Sequence, residues 1–394
     1  MLVPGDLYVD ANATTPLLPS VRAAIETLLA QRFVNPQSAH HAGERSRRTL
    51  EAARQEVATA IGAQPDELVF TSGATEANHL ALFGLVAPPF SGKHLVISAI
   101  EHASLLAAAE LLEKLGAAVT RVAPEPDGRV HADALLAVIR PDTKLVALMS
   151  ANNETGVLQP VTELAAPLAA RGIDFHVDAV QSFGREPLDV ARLSAASIAL
   201  SAHKIGGPPG IGALFVRRGH RLVPLIGGGR QERGRRGGTH ALIQVVGFAA
   251  AAREVAIDRA NSASRSADRT ARDVFESALL AERPTTRVVG HGVARLANTS
   301  SVTLPGSDAA ALLEQLSRTG VHASAGSACE AGSTEPSHVL RAIGLSAADA
   351  RATLRFSFLE AATAADGEAA ARALLRAIGC PQVVTDRPRR STAT

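Results

Sequence analysis

Five short apolar runs in this chain each end in residues able to do chemistry. SGATEAN follows LVF, EH follows VISAI, NNETG follows LVALMS, DAVQS follows IDFHV, and SAHK follows ASIAL. In the last, Lys204 opens a glycine- and proline-rich stretch, KIGGPPGIG, that allows a tight backbone around it. Asp178 ends the preceding run, at a spacing that leaves room for one crossover between neighbouring strands. A buried carboxylate needs a cationic partner, and a protonated pyridine nitrogen is one. A lysine amine with a carboxylate set against a ring nitrogen is the combination used by pyridoxal phosphate (PLP). Singly, each residue has a plainer reading: a solvated loop lysine, and a helix-capping aspartate.

The same logic extends to the other ends. Ser72-Gly73-Ala74-Thr75-Glu76 joins a strand to a helix, and the free N–H groups of a first helical turn suit a phosphate. A capping box explains that segment equally well. There is no GxxxxGK[ST] loop and no GxGxxG after the first strand. His102 follows a strand and could lie flat on a cofactor ring or serve as a cleft histidine. His40, His41, His176 and His203 lack the HExxH or Cys/His spacing of a metal site, and none is expected. Arginines 230, 233, 235 and 236 in GGGRQERGRRGGTH have no interleaved aromatics, so the stretch reads as a mobile loop at a subunit interface rather than a nucleic-acid patch. Of the two cysteines, Cys380 sits at a helix end and reads as structural. Cys329 lies among small residues in SAGSACEAGSTEPSHVL, the setting of an exposed thiol that is used chemically.

Such residues need a scaffold, and the pattern supplies one. From about 50 to 260, short apolar runs alternate with helical stretches, the signature of a buried, mostly parallel sheet flanked by helices. Ligands in such α/β sheets bind beyond the carboxyl ends of the strands, where all five polar segments lie. After about 260 the texture changes: NTSSVTLPG reads as a strand, DAAALLEQLSRTG as a helix and ATLRFSFLE as a strand, forming a smaller α+β unit. The expected division is a large unit over 15–260, a small one over 1–14 and 261–384, and a disordered tail over 385–394.

Composition narrows the function classes. The 394 residues are 46% apolar and 20% charged, enough to bury a large core. Forty basic against 38 acidic residues leave no field for nucleic acid or a membrane surface. At 3% aromatic there is no stacking platform for single strands. The start, MLVPGDLYVD, lacks a basic-then-apolar signal, and no stretch is long and apolar enough to span a bilayer. The expectation is a soluble protein of the reducing cytoplasm.

Together these stretches resemble the cysteine desulfurases, PLP enzymes of the class V aminotransferase group with the fold type I architecture. The resemblance runs from YVDANATTPLLP to LRFSFLE and includes SGATEAN, EHASL, ANNETGVLQP, HVDAVQS, SAHKIGGPPGIGAL, QERGRRGGT and GSACEAGSTEPSHVLRAIGL in order. It implies that Lys204 bonds to the cofactor and later moves protons, that Asp178 pairs with the pyridine N–H, and that His102 stacks on the ring. Asn153 and Gln181 would touch the phenolic-oxygen side. Thr75, Ser201 and His203 would hold the phosphate, with the backbone at Ala74. Thr239 would reach the phosphate in a second subunit, which implies a homodimer. Arg355, with Asn35, would clamp the substrate carboxylate, a task suited to a guanidinium fork.

By the same resemblance, Cys329 takes sulfur from L-cysteine as a persulfide, leaves alanine, and rides a mobile loop. The sulfur would pass to a protein acceptor in iron–sulfur assembly, tRNA thiolation, cofactor sulfuration or DNA phosphorothioation. A selenocysteine lyase or another class V aminotransferase would share this fold, and the role of Cys329 separates them. Two positions depart from the family's pattern. Glu330 follows the cysteine where relatives carry a small Thr or Ser, and a neighbouring carboxylate disfavours the thiolate. Pro209 stands where relatives commonly have Lys, and the turn it occupies survives the change.

Overall fold

The computed structural model describes residues 2–261, 270–326 and 335–379. Cys329, Glu330, Cys380 and the 385–394 tail lie outside the described residues.

The apolar runs become a seven-stranded sheet in the order β2-β8-β7-β6-β5-β3-β4. Its strands are β2 (Leu68–Thr71), β3 (His94–Ser98), β4 (Ala118–Val122), β5 (Thr143–Met149), β6 (Asp174–Asp178), β7 (Ser197–Ser201) and β8 (Gly212–Val216). All pair in parallel except β8, which runs antiparallel to both of its neighbours. The sequence reading missed β8, because GALFV follows directly on a glycine- and proline-rich turn that reads as loop. Two antiparallel steps restore the direction, so β2 points the same way as β7. The carboxyl ends of β2, β3, β5, β6 and β7 therefore share one edge.

Helices cover both faces, and the pleat decides which residues each meets. Val69, Leu95, Ile97, Leu145, Ala147 and Ala199 pack with α3 (Ala74–Val86) and α4 (Ala103–Lys114). Phe70, Val96, Val146, Phe175, Val177 and Ile198 turn to the other side, under α2 (His41–Ala60), α6 (Val161–Ala170) and α7 (Leu242–Asn261). Burial on both faces is why these strands read as continuous apolar runs rather than alternating ones.

A second core lies around the antiparallel sheet β12-β10-β9, made of β9 (Arg287–Val288), β10 (Thr299–Thr303) and β12 (Thr353–Ser357). Helices α8 (Ala271–Glu282), α9 (Ala309–Arg318) and α12 (Ala364–Gly379) pack on it. The rings of Phe275 and Phe356 lie 4.5 Å apart at its centre. The chain start joins this part: β1 (Leu7–Tyr8) pairs in parallel with β11 (Val321–His322). Among the described residues, no helix is long and apolar enough to cross a membrane.

Candidate active site

A cavity of about 330 Å³ opens at the shared carboxyl edge of the large sheet. Its lining includes Ala74, Thr75, His102, Asn153, Asp178, Gln181, Ser201, His203, Lys204 and Arg355. Five strand ends thus bring nine of the residues singled out in the sequence to one place, and Arg355 joins them from β12. Two others stand apart. Asn35 is exposed and outside the lining, with its Oδ1 accepting from Gln37 N at 2.9 Å. Thr239 is also exposed and outside the lining of its own chain.

Asp178 ends β6 and is 5% exposed. Val180 N donates to its Oδ1 at 3.0 Å and Asn78 Nδ2 to its Oδ2 at 2.8 Å. Neither donor carries a charge, so the carboxylate keeps its full charge for a partner in the cavity. Lys204 lies in the turn after β7, and its Nζ donates to the carbonyls of Asn12 at 2.5 Å and Ala13 at 2.8 Å. His203 beside it is held well below the ordinary histidine range, to about 4, by burial and by the Lys204 charge. It is therefore neutral at pH 7.

His102 caps α4, and its Nδ1 accepts from Ser104 N at 3.1 Å and lies 2.8 Å from Ser104 Oγ. A ring nitrogen that takes a backbone N–H holds no proton, so neutral His102 carries its proton on Nε2. Glu101 next to it is fully buried, and burial pushes it up to about 8. Its Oε1 lies 2.5 Å from Ser98 Oγ and accepts from Met149 N at 2.9 Å, while its buried Oε2 has no hydrogen-bond partner among the described residues.

Arg355, on β12, reaches the cavity from the second core. It is 1% exposed, donates to Asp10 Oδ1 at 2.7 Å and to Asn153 O at 3.1 Å, and lines the cavity. Its buried Nε has no hydrogen-bond partner among the described groups. A buried N–H without an acceptor is rare and costly, and a carboxylate ligand would supply one.

The arginine-rich loop differs from the expectation of a mobile segment. Glu232 is 4% exposed and forms a two-pronged ion pair with Arg54, both contacts at 2.8 Å. Phe70 N of β2 donates to the same carboxylate at 2.9 Å, and His240 Nε2 lies 2.9 Å from it. Arg236 pairs with Glu76 at 2.8 Å, and Glu76 in turn accepts from Ser72 N at 2.7 Å. The loop is anchored at two points around the Ser72–Thr75 turn. Glu232 and Arg236 turn inward because each meets an opposite charge, while Arg230 and Arg233 stay exposed.

The family model of the class-V aminotransferases matches residues 7–369. The cysteine desulfurase of Cereibacter sphaeroides is 41% identical over 362 residues, covering 91% of this chain and 92% of the relative. The chain belongs to the cysteine desulfurases. Among solved structures, a NifS-like protein from Rickettsia africae ESF-5 superposes with a TM-score of 0.83 at 30% identity, covering 95% of this chain and 100% of the other. SspA in complex with cysteine gives 0.77 at 35% identity, over 89% of this chain and 98% of the other. Cysteine desulfurases are PLP-dependent, and the cavity can be tested against that group. A Cβ built on Gly73 meets nothing within 4 Å, so an open cradle lies over the first turn of α3. Gly212 shows why β8 must be bare there: a Cβ would stand 2.7 Å from Gly73 C and 2.6 Å from Leu200 O. With the cradle at one end and a buried carboxylate at the other, the residues present fit this cofactor of cysteine desulfurases.

Sequence reasoning gave no role in the site to three groups that support this desulfurase site. Asn78 ends the SGATEAN motif, and its helical position on the sheet-facing side of α3 was the available signal. His176 lies two residues before Asp178, on the same face of β6, a period-two relation that could have flagged it. Glu232 gave no local signal, since its partner Arg54 is far away in sequence.

Proposed function

We propose that the chain takes sulfur from L-cysteine and releases alanine, with PLP as cofactor and Cys329 as sulfur carrier. The observation that carries the reading is the convergence of Asp178, Lys204, His102 and the orphaned Arg355 Nε on one cavity, in a chain of this family. PLP, when bound, supplies an electron sink for negative charge at the substrate's α and β carbons. Asp178 holds the ring-nitrogen end by charge, and the Thr75–Ser201–His203 cradle holds the phosphate end. Arg355 orients the substrate carboxylate. Lys204 binds the cofactor and moves protons between the substrate carbons.

The Cys329 thiolate attacks the substrate sulfur. An S–S bond forms, the substrate Cβ–S bond breaks, and its electron pair goes to Cβ, which takes a proton to become alanine. The enzyme is left as a persulfide, and the sulfur goes to a protein acceptor. Thr239, exposed on its own chain, serves the phosphate of a second copy in a homodimer. The cofactor unit spans 15–260, and the smaller unit spans 1–14 and 261–384. Thiol chemistry of this kind belongs to a reducing cytoplasm.

The test is mass spectrometry of the PLP-loaded protein after L-cysteine. The reading expects one added sulfur atom on the Cys329 peptide, lost in Cys329→Ala and in Lys204→Ala. A Cys329→Ala protein that still released sulfur at the wild-type rate would contradict it.

A further inference from the structure

Asp178 sits at the end of a hydrogen-bond chain whose directions are fixed by chemistry. Asn78 Nδ2 lies 2.8 Å from Asp178 Oδ2 and 3.0 Å from Ser104 Oγ. The opposite amide orientation would set oxygen against a carboxylate oxygen, so the NH2 must face Asp178. That turns Asn78 Oδ1 toward His176 Nε2, at 3.0 Å. An amide oxygen only accepts, so Nε2 must carry the proton. His176 Nδ1 is then the acceptor, and it lies 2.8 Å from Ser197 Oγ, whose hydroxyl donates to it. His176 and Ser197 are direct partners across β6 and β7. Asp178, His176 and Ser197 belong to the sheet face under α3 and α4, Asn78 reaches them from α3, and His176, Asn78 and Ser197 are fully buried.

We propose that Asn78 is the positioning residue for Asp178, and that a neutral His176 with its proton on Nε2 is what holds Asn78 in that orientation. The inference rests on the reading of Asp178 as the partner of the cofactor ring nitrogen. Its physical content is twofold. The chain delivers a neutral donor to Asp178, so the carboxylate is oriented without being neutralised by a protein cation. The same amide donates to Ser104, whose hydroxyl is then free to point at His102 Nδ1, so one residue ties the carboxylate at the ring nitrogen to the histidine over the ring. Burial supports the neutral state: it holds His176 down to about 4 even though the Asp178 charge pulls the other way.

The test uses full-length protein labelled with 15N-histidine, first free of cofactor and then loaded with PLP. The His176 signals are assigned by their loss in His176→Gln. At neutral pH the expected spectrum shows one protonated nitrogen, Nε2, and one bare nitrogen, Nδ1. Ser197→Ala, remote from the cavity, should leave the proton on Nε2, because the Asn78 amide oxygen still requires a donor there. Asn78→Ala should weaken PLP affinity about tenfold or more, the range for a lost hydrogen bond to a charged group. Combined with Asp178→Asn it should add little further loss, because both changes cut the same link. A His176 protonated on Nδ1 or on both nitrogens would overturn the proposal. So would an Asn78→Ala loss that adds fully to that of Asp178→Asn. If Asp178→Asn itself left PLP affinity unchanged while His176 kept its expected tautomer, the reading of Asp178 would fall, and the proposal with it. Should Asn78→Ala fail to fold, the His176 tautomer and its persistence in Ser197→Ala decide the matter.

Discussion

Glu232→Gln isolates the charge that anchors the arginine-rich loop. Glutamine keeps the shape and the left-handed backbone, since Glu232 sits at φ 48° and Arg233 at φ 57°. Two such residues each cost about 1 kcal/mol or more, and the loop holds them only because something stronger does. Burial alone would raise the Glu232 pKa, but hydrogen bonds from His240 and Arg54, with the Arg54 charge, hold it down to about 2. A fall from 4.5 to about 2 corresponds to about 3 kcal/mol of stability at 1.36 kcal/mol per pH unit. That stability is complete above 4.5 and is lost as pH falls toward about 2. Among the described residues, Arg54 would keep only the exposed Glu51, at 3.3 Å, as an ion-pair partner, so the cost of a broken buried pair, about 3–5 kcal/mol, sets the upper end of the loss. With 394 residues and about 2.1 cal/mol/K of unfolding entropy per residue, 4 kcal/mol lowers Tm by about 5 °C. Calorimetry of wild type, Glu232→Gln, Arg54→Met and the double variant forms the assay. The double variant should recover part of the loss, because no buried charge is left alone. A Glu232→Gln protein within about 1 °C of wild type would refute the reasoning, as would a double variant that shows strict additivity.

Arg355→Lys should raise KM for L-cysteine about tenfold or more with less effect on kcat, since the fork and its open Nε are lost; steady-state kinetics check this. Gly212→Ala should weaken PLP binding and lower Tm, because its Cβ would press to 2.7 Å from Gly73 C; absorbance titration and calorimetry read both. The burial that lowers His176 from 6.5 to about 4 means the unfolded chain takes a proton the folded one refuses. Stability should therefore rise with pH between those values, by about 3 kcal/mol, and Tm measured against pH in His176→Gln should lose that component. Glu330→Thr should lower the pH at which Cys329 is alkylated, because the neighbouring carboxylate is gone.

Much of the site was legible because it is local. Each of Asp178, Lys204, His102 and Thr75 directly follows an apolar run, and a parallel sheet places such ends on one edge. β8 was not legible, since its five residues, Gly212–Val216, follow a turn that masks their pattern. The Arg54–Glu232 pair was hidden for a different reason: a buried ion pair between distant segments leaves no periodic trace. Asn78 could be named but not given a role, because its partners come from β6 and α4 and meet only in the folded chain. Arg355 was named for a substrate carboxylate, but its pairing with Asp10 across 345 positions emerges only from the fold.

The central claim is that sulfur leaves L-cysteine through Cys329 and that alanine is the co-product. The most direct measurement is a single turnover of the PLP-loaded protein with L-cysteine and no reductant, quantifying alanine and the Cys329 persulfide together. The account predicts equal amounts of the two, appearing at the same rate. Alanine without persulfide, or sulfur released with pyruvate in place of alanine, would contradict it.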